Sequence, residues 1–103
     1  MDVEVRQNGA TVAVSEGDRV LVRVPEVASA GYQWSVEELT GPLELESSDL
    51  ASGGSAAPGA AAERVVALRA AGGGEGRLVL ALRRPWEREE PAADRFRVAV
   101  TVA

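Results

Sequence analysis

Hydrophobic and polar residues alternate along most of this chain, and the alternation predicts strands. Val3 and Val5 are interleaved with Glu4 and Arg6, the period of two that puts one set of side chains on one face. Asn8-Gly9 follows, a strong hairpin signal because both residues tolerate positive φ. Val12 and Val14 form the next short run, and Glu16-Gly17-Asp18 a second turn. Val20, Val22 and Val24 share a face in the segment Arg19 to Val24, and Pro25 is expected to end that strand because it donates no ladder hydrogen bond. A loop is expected from Glu26 to Ala30. Tyr32, Trp34 and Val36 then share a face after Gly31. Gly41-Pro42 breaks the pattern, and Leu43 and Leu45 alternate with Glu44 and Glu46 in a short strand.

Residues 51–62 are of low complexity. Gly53, Gly54, Pro58 and Gly59 argue against an alanine helix there, so a mobile loop is expected. Glu63 to Ala70 fits helix and strand alike. The flanking Gly72-Gly73-Gly74 and the run Arg77 to Leu82 make a hairpin the more economical reading. Arg83 to Asp94 is a polar loop. The last segment, Arg95 to Val102, alternates cleanly, with Phe96, Val98, Val100 and Val102 facing one way. Seven or eight short strands separated by regular turns predict an all-β fold, an immunoglobulin-like β-sandwich or barrel. With 103 residues and no internal repeat, residues 1–103 are read as one domain.

Composition narrows the chemistry. The chain has no Cys and no His, and all 11 cations are Arg. Disulfides, thiolate catalysis, thiolate or imidazole metal sites, His-based triads and lysine Schiff bases are therefore excluded. The net charge of −5 argues against a bare nucleic-acid partner, which calls for a basic surface. No apolar run approaches a membrane span, so no membrane partner is expected. The start, Met1-Asp2-Val3-Glu4, does not read as a signal peptide. A cytoplasmic protein and a secreted domain whose leader has been removed both remain open. A monomer without a cofactor is expected.

Glu87, Glu89 and Glu90 cluster beside Trp86, but Arg83, Arg84 and Arg88 lie among them, so a solvated, salt-paired loop is the plainer reading. The serines have no imidazole or lysine to activate them. Gly72-Gly73-Gly74 is followed by no Lys-Ser/Thr and is no phosphate cradle. An enzyme is the poorest fit. The unusual residues lie instead in or beside loops: Gly31-Tyr32-Gln33-Trp34, residues 51–62, and Arg84-Pro85-Trp86. Trp and Arg are the residue types most often found as interface anchors. Trp34 falls on a strand face and reads as core. Trp86 follows Pro85 and precedes Glu-Arg-Glu-Glu, so no strand pattern buries it, and it reads as a contact residue.

These segments, in this order, resemble the chagasin-type inhibitors of papain-like cysteine peptidases. Asn8 to Pro25 resembles the opening of that family's domain. The family's first loop reads Asn-Pro-Thr-Thr-Gly, an aromatic, one residue and Trp. Here Gly31-Tyr32-Gln33-Trp34 keeps the second half, and Ser29 keeps one hydroxyl of the first. The family's second loop carries Gly-x-Gly-Gly, for which Gly59 is the best single match and Gly53-Gly54 an alternative. Arg84-Pro85-Trp86 matches the third signature unchanged, and Asp94 to Val98 resembles the closing strand.

The resemblance implies a reversible, non-covalent inhibitor whose partner is a papain-like cysteine peptidase. In that family three loops at one end form a wedge that enters the active-site cleft, with the first two near the catalytic cysteine and the third packing its Trp alongside. The implied binding residues are Ala28, Ser29, Ala30, Gly31, Tyr32 and Trp34 in the first loop, Gly59 and Ala60 in the second, and Arg84, Pro85 and Trp86 in the third. Arg84 could shape its loop through carbonyl hydrogen bonds or touch the partner directly, and both remain open. An adhesive or accessory β-sandwich module that kept the scaffold without inhibition is the alternative.

Overall fold

Val is the commonest apolar residue in these strands. Its branched side chain is stiff in χ1 and packs well on a pleated surface, and the chain forms strands wherever it alternates. The computed structural model describes residues 1–26, 31–52, 62–84, 86 and 91–103. Among them are eight strands and no helix: β1 (Asp2–Val5), β2 (Ala10–Val14), β3 (Arg19–Glu26), β4 (Gln33–Thr40), β5 (Leu43–Ser52), β6 (Ala62–Ala70), β7 (Gly74–Arg83) and β8 (Asp94–Val102). They form two four-stranded sheets, in the orders β1-β3-β6-β5 and β2-β8-β7-β4. No ladder joins the sheets among the described residues, so the immunoglobulin-like arrangement is an open sandwich and not a barrel.

The alternation places the core correctly. Val20, Val22 and Val24 on β3, Val66 and Leu68 on β6, Leu78 and Leu80 on β7, and Val98 and Val100 on β8 are fully buried between the sheets. Burying one such side chain contributes about 1.5–3 kcal/mol. Trp34 and Phe96 close one end of this core edge-to-face, their ring centroids 6.5 Å apart, the geometry the ring quadrupoles favour.

Four local expectations are corrected. Asn8-Gly9 is not a hairpin turn. β1 pairs parallel with β3 and β2 parallel with β8, so the turn is a corner between sheets. Asn8 spans the gap: its Nδ2 donates to the Arg95 carbonyl at 3.0 Å, and its Oδ1 accepts the Arg97 N–H at 2.9 Å. β6 and β7 do not form a hairpin either. β6 lies between β3 and β5, and β7 between β8 and β4, so the Gly72-Gly73-Gly74 connection also crosses between sheets. Pro25 does not end β3, which runs on to Glu26. β1 reaches only Val5, opposite Val22, so beyond it Pro25 has β6 as its one strand neighbour, a position where a missing donor is tolerated. Finally, β5 is ten residues long. A bulge between Leu45 and Ser47 resets its register on β6 and carries the strand through Ser48 and Asp49. Of the predicted loop 51–62, Ala51, Ser52 and Ala62 belong to strands, and 53–61 lie outside the described residues.

The corner between β4 and β5 is held by close backbone approach. Gly41 has φ +78°, and a methyl group added there would lie 2.2 Å from the Glu75 carbonyl oxygen. Gly41→Ala is therefore expected to cost about 2–3 kcal/mol, from left-handed backbone plus overpacking against main chain. Urea denaturation checks this, and a midpoint equal to that of the wild type would contradict it.

Candidate functional site

Strand register places the predicted loops together. On one sheet Glu26 pairs with Ala62, and Ala62 also pairs with Ser52. On the other, Gln33 pairs with Arg83, and Leu82 with Asp94. The two groups of strand ends meet where β3 passes to β4: the Trp34 N–H donates to Glu26 Oε1 at 2.7 Å, and the Trp34 indole N–H donates to the Pro25 carbonyl at 2.8 Å. The strand ends flanking residues 27–32, 53–61 and 84–93 thus share one end of the sandwich.

Four of the predicted site residues come together there. Gly31 has φ +78°, and a methyl group added at its Cα would lie 2.8 Å from Trp86 Cη2, so the indole lies against bare glycine backbone. Trp86 is 70% exposed, as its place outside any strand pattern predicts. The Arg84 guanidinium lies over the Tyr32 ring, 4.6 Å from its centroid, a cation–π contact worth about 0.5–1 kcal/mol at an exposed site. Among the described residues, the first and third loops thus meet through an apolar contact and a charged one. The base of the third is closed by the Ala93 N–H donating to the Leu82 carbonyl at 2.8 Å. Stacking on Tyr32 joins Arg84 to the first loop.

Trp34 is only 7% exposed. It is a core residue, as its strand position predicts, and has little surface to offer a partner. Ala28, Ser29, Ala30, Gly59, Ala60 and Pro85 lie outside the described residues, as do Gly53-Gly54 and Glu87, Glu89 and Glu90.

Gly31→Ala adds a methyl group where the indole rests and asks a non-glycine residue to keep a left-handed backbone. The ring is exposed and can swing away, so stability should fall by only about 1–2 kcal/mol, while the Trp86 orientation is lost. Any binding that depends on Trp86 should weaken in parallel. Near-ultraviolet circular dichroism of the tryptophans checks the reorientation, and an unchanged spectrum would contradict it.

The sequence pattern alone does not single out Glu26 and Arg64. Glu26 is the one buried charged residue among the described residues, 2% exposed. Arg64 on β6 reaches it at 2.9 Å through Nη2 and 3.3 Å through Nε, and its Nη1 contacts the Ser48 carbonyl and Oγ at 3.4 Å. A signal was present. Glu26 continues the inward series Val20, Val22, Val24, and Arg64 continues the inward series Ala70, Leu68, Val66, so opposite charges occupy core positions on adjacent strands.

Beside this end the outer faces carry ladders of ion pairs. Glu63 accepts from Arg23 at 3.1 Å and from Arg6 at 2.7 Å, and these hydrogen bonds, Arg23 first, hold its carboxyl below the usual range. Arg95 and then Arg83 do the same for Glu37. Both contributions to stability are present above the ordinary carboxylate range and fade as pH falls through the lowered values. Among the described residues no group of three or more acidic side chains could hold a metal ion.

Comparison with known proteins agrees with this geometry. The cysteine protease inhibitor EhICP2 from Entamoeba histolytica superimposes with a TM-score of 0.81 at 20% identity, over 99% of this chain and 94% of that one. Amebosin matches with a TM-score of 0.76 at 23% identity, over 99% and 96%. PbICP-C, solved in complex with falcipain-2, matches with a TM-score of 0.73 at 14% identity, over 99% and 98%. At these identities the likeness is one of fold. No curated protein matches the sequence significantly. The family model described as Chagasin family peptidase inhibitor I42 matches residues 13–100, most of the chain and both described signature segments. The chain belongs to the chagasin family of peptidase inhibitors.

Proposed function

We propose that this chain, acting as one domain, inhibits papain-like cysteine peptidases reversibly and without covalent chemistry, its three-loop end occluding the active-site cleft. The carrying observation is Trp86, an exposed indole seated on Gly31 at the end where the loop-bearing strands converge. Trp is among the residue types most often found as interface hot spots, and this one presents its ring to solvent beside the loop bases. Gly31, Tyr32, Arg84 and Trp86 supply the contact surface, completed by Ala28, Ser29 and Ala30, by Gly59 and Ala60, and by Pro85. The small residues of the first two loops let their backbone enter a narrow cleft, and Pro85 restricts its own φ and the conformation of Arg84. Trp34 acts from inside, fixing the base of the first loop.

The physical basis is preorganisation. A rigid sandwich holds the loop bases, so little ordering entropy is lost on docking. That the related PbICP-C was solved with falcipain-2 supports a peptidase partner. Titration of the purified chain against papain tests the reading. Inhibition should be dose-dependent, reversed by dilution and relieved by added substrate. A folded chain without effect at high micromolar concentration would overturn it and leave the scaffold-only alternative.

A further inference from the structure

The Glu26–Arg64 pair, its carboxylate buried and its guanidinium half-buried, lies at the end that would face a peptidase. A buried ion pair is a poor source of net stability, because desolvation of both charges offsets most of their attraction. What this pair provides is geometry. Glu26 is the last residue of β3, and its Oε1 takes the Trp34 N–H of β4, so the carboxylate bridges both strands that flank residues 27–32. The same carboxylate holds Arg64 near the start of β6, and Arg64 reaches Ser48 on β5, so the guanidinium bridges both strands that flank residues 53–61. The planar fork of Arg fixes direction as well as distance.

We propose that Glu26 and Arg64 are positioning residues for inhibition: their ion pair holds the bases of the first and second binding loops in one fixed relation. Gly31 and Tyr32 then pass that relation to Trp86 and Arg84 in the third. This rests on the reading of the three-loop end as the peptidase-binding surface.

The test uses the full chain, papain as probe, and the double variant Glu26→Gln/Arg64→Met. The amide oxygen introduced at position 26 still accepts the Trp34 N–H, and no buried charge is left unopposed, so the fold is retained while the link between the loop bases is cut. With the folded state confirmed by urea titration, the inhibition constant should rise about tenfold, mainly through slower association, the equivalent of ordering roughly one more backbone residue on docking. A purely structural pair would instead give a folded double variant that inhibits like the wild type, and that result overturns the proposal. Arg64→Lys, which keeps the charge and loses the fork, should give a smaller rise, and an unchanged constant there counts equally against it. Failure of the wild type itself to inhibit would show in the control arm and remove the underlying reading along with the proposal.

Discussion

Trp86→Ala is expected to raise the inhibition constant against papain by about 30- to 1000-fold, the equivalent of about 2–4 kcal/mol, while leaving the folded state nearly unchanged. The first half follows from its place as an exposed apolar anchor. Truncating an anchor Trp removes the apolar area it buries against a partner. The second half follows from its exposure of 70%. A ring so poorly covered contributes little to folding, and surface changes of this kind stay within about 0.5 kcal/mol. Denaturation and inhibition measured on the same preparation separate the two effects. Trp86→Phe should retain part of the affinity, because a smaller ring can still rest on Gly31. Equal inhibition by the wild type and Trp86→Ala would show that the third loop is a bystander.

The contact of Trp86 with Gly31 has a consequence for that experiment. Removing the indole also removes the cover from Gly31, whose left-handed backbone it overlies. The Tyr32–Arg84 stacking contact to the third loop remains. Part of the lost affinity should therefore come from the first loop's freedom. Combining Gly31→Ala with Trp86→Ala should accordingly cost less than the sum of the two, as expected for residues in contact.

Much of this architecture is legible in the sequence, and the parts that are not share a cause. Alternation reports which face a residue occupies, so it assigns Val20, Val22, Val24, Phe96, Val98, Val100 and Val102 to the core. It does not report which strand lies beside which. Asn8-Gly9 and Gly72-Gly73-Gly74 have the composition of hairpin turns, yet both cross between sheets. A turn's local chemistry fixes its backbone angles but not the sheet to which the next strand adds its ladder. Nothing near Asn8 in sequence announces that its amide will pair with Arg95 and Arg97.

The candidate site is legible for a different reason. Tyr32, Trp34 and Trp86 are three of the four aromatic residues of the chain and stand out without alignment, and Arg84 is marked by its place before Pro85-Trp86. That Trp34 lies inside and Trp86 outside also follows from strand position. The contacts between Gly31 and Trp86, and between Tyr32 and Arg84, cannot be read that way, because they join segments more than fifty residues apart. Glu26 is hidden by Pro25: taking proline as the end of β3 turns the next residue into loop, where a glutamate needs no partner.

That glutamate makes Arg64 a position where a single change should strongly damage the fold. Arg64→Met removes the guanidinium and leaves the Glu26 carboxylate, 2% exposed, without its counter-ion, although the Trp34 N–H still donates to it. Breaking a buried pair from one side costs about 3–5 kcal/mol, against a total of roughly 5–15 kcal/mol for a domain of this kind. The urea midpoint should fall steeply with little change in slope, since the surface exposed on unfolding is nearly the same. Adding Glu26→Gln to Arg64→Met should recover most of the loss, because the buried charge is gone and the Trp34 N–H keeps an acceptor. Removing more side-chain interactions would thus yield a more stable protein, which no simple count of contacts predicts. If Arg64→Met instead unfolded at the wild-type midpoint, water would have to reach Glu26 from the strand end, and the carboxylate would be solvated rather than held by its ion pair.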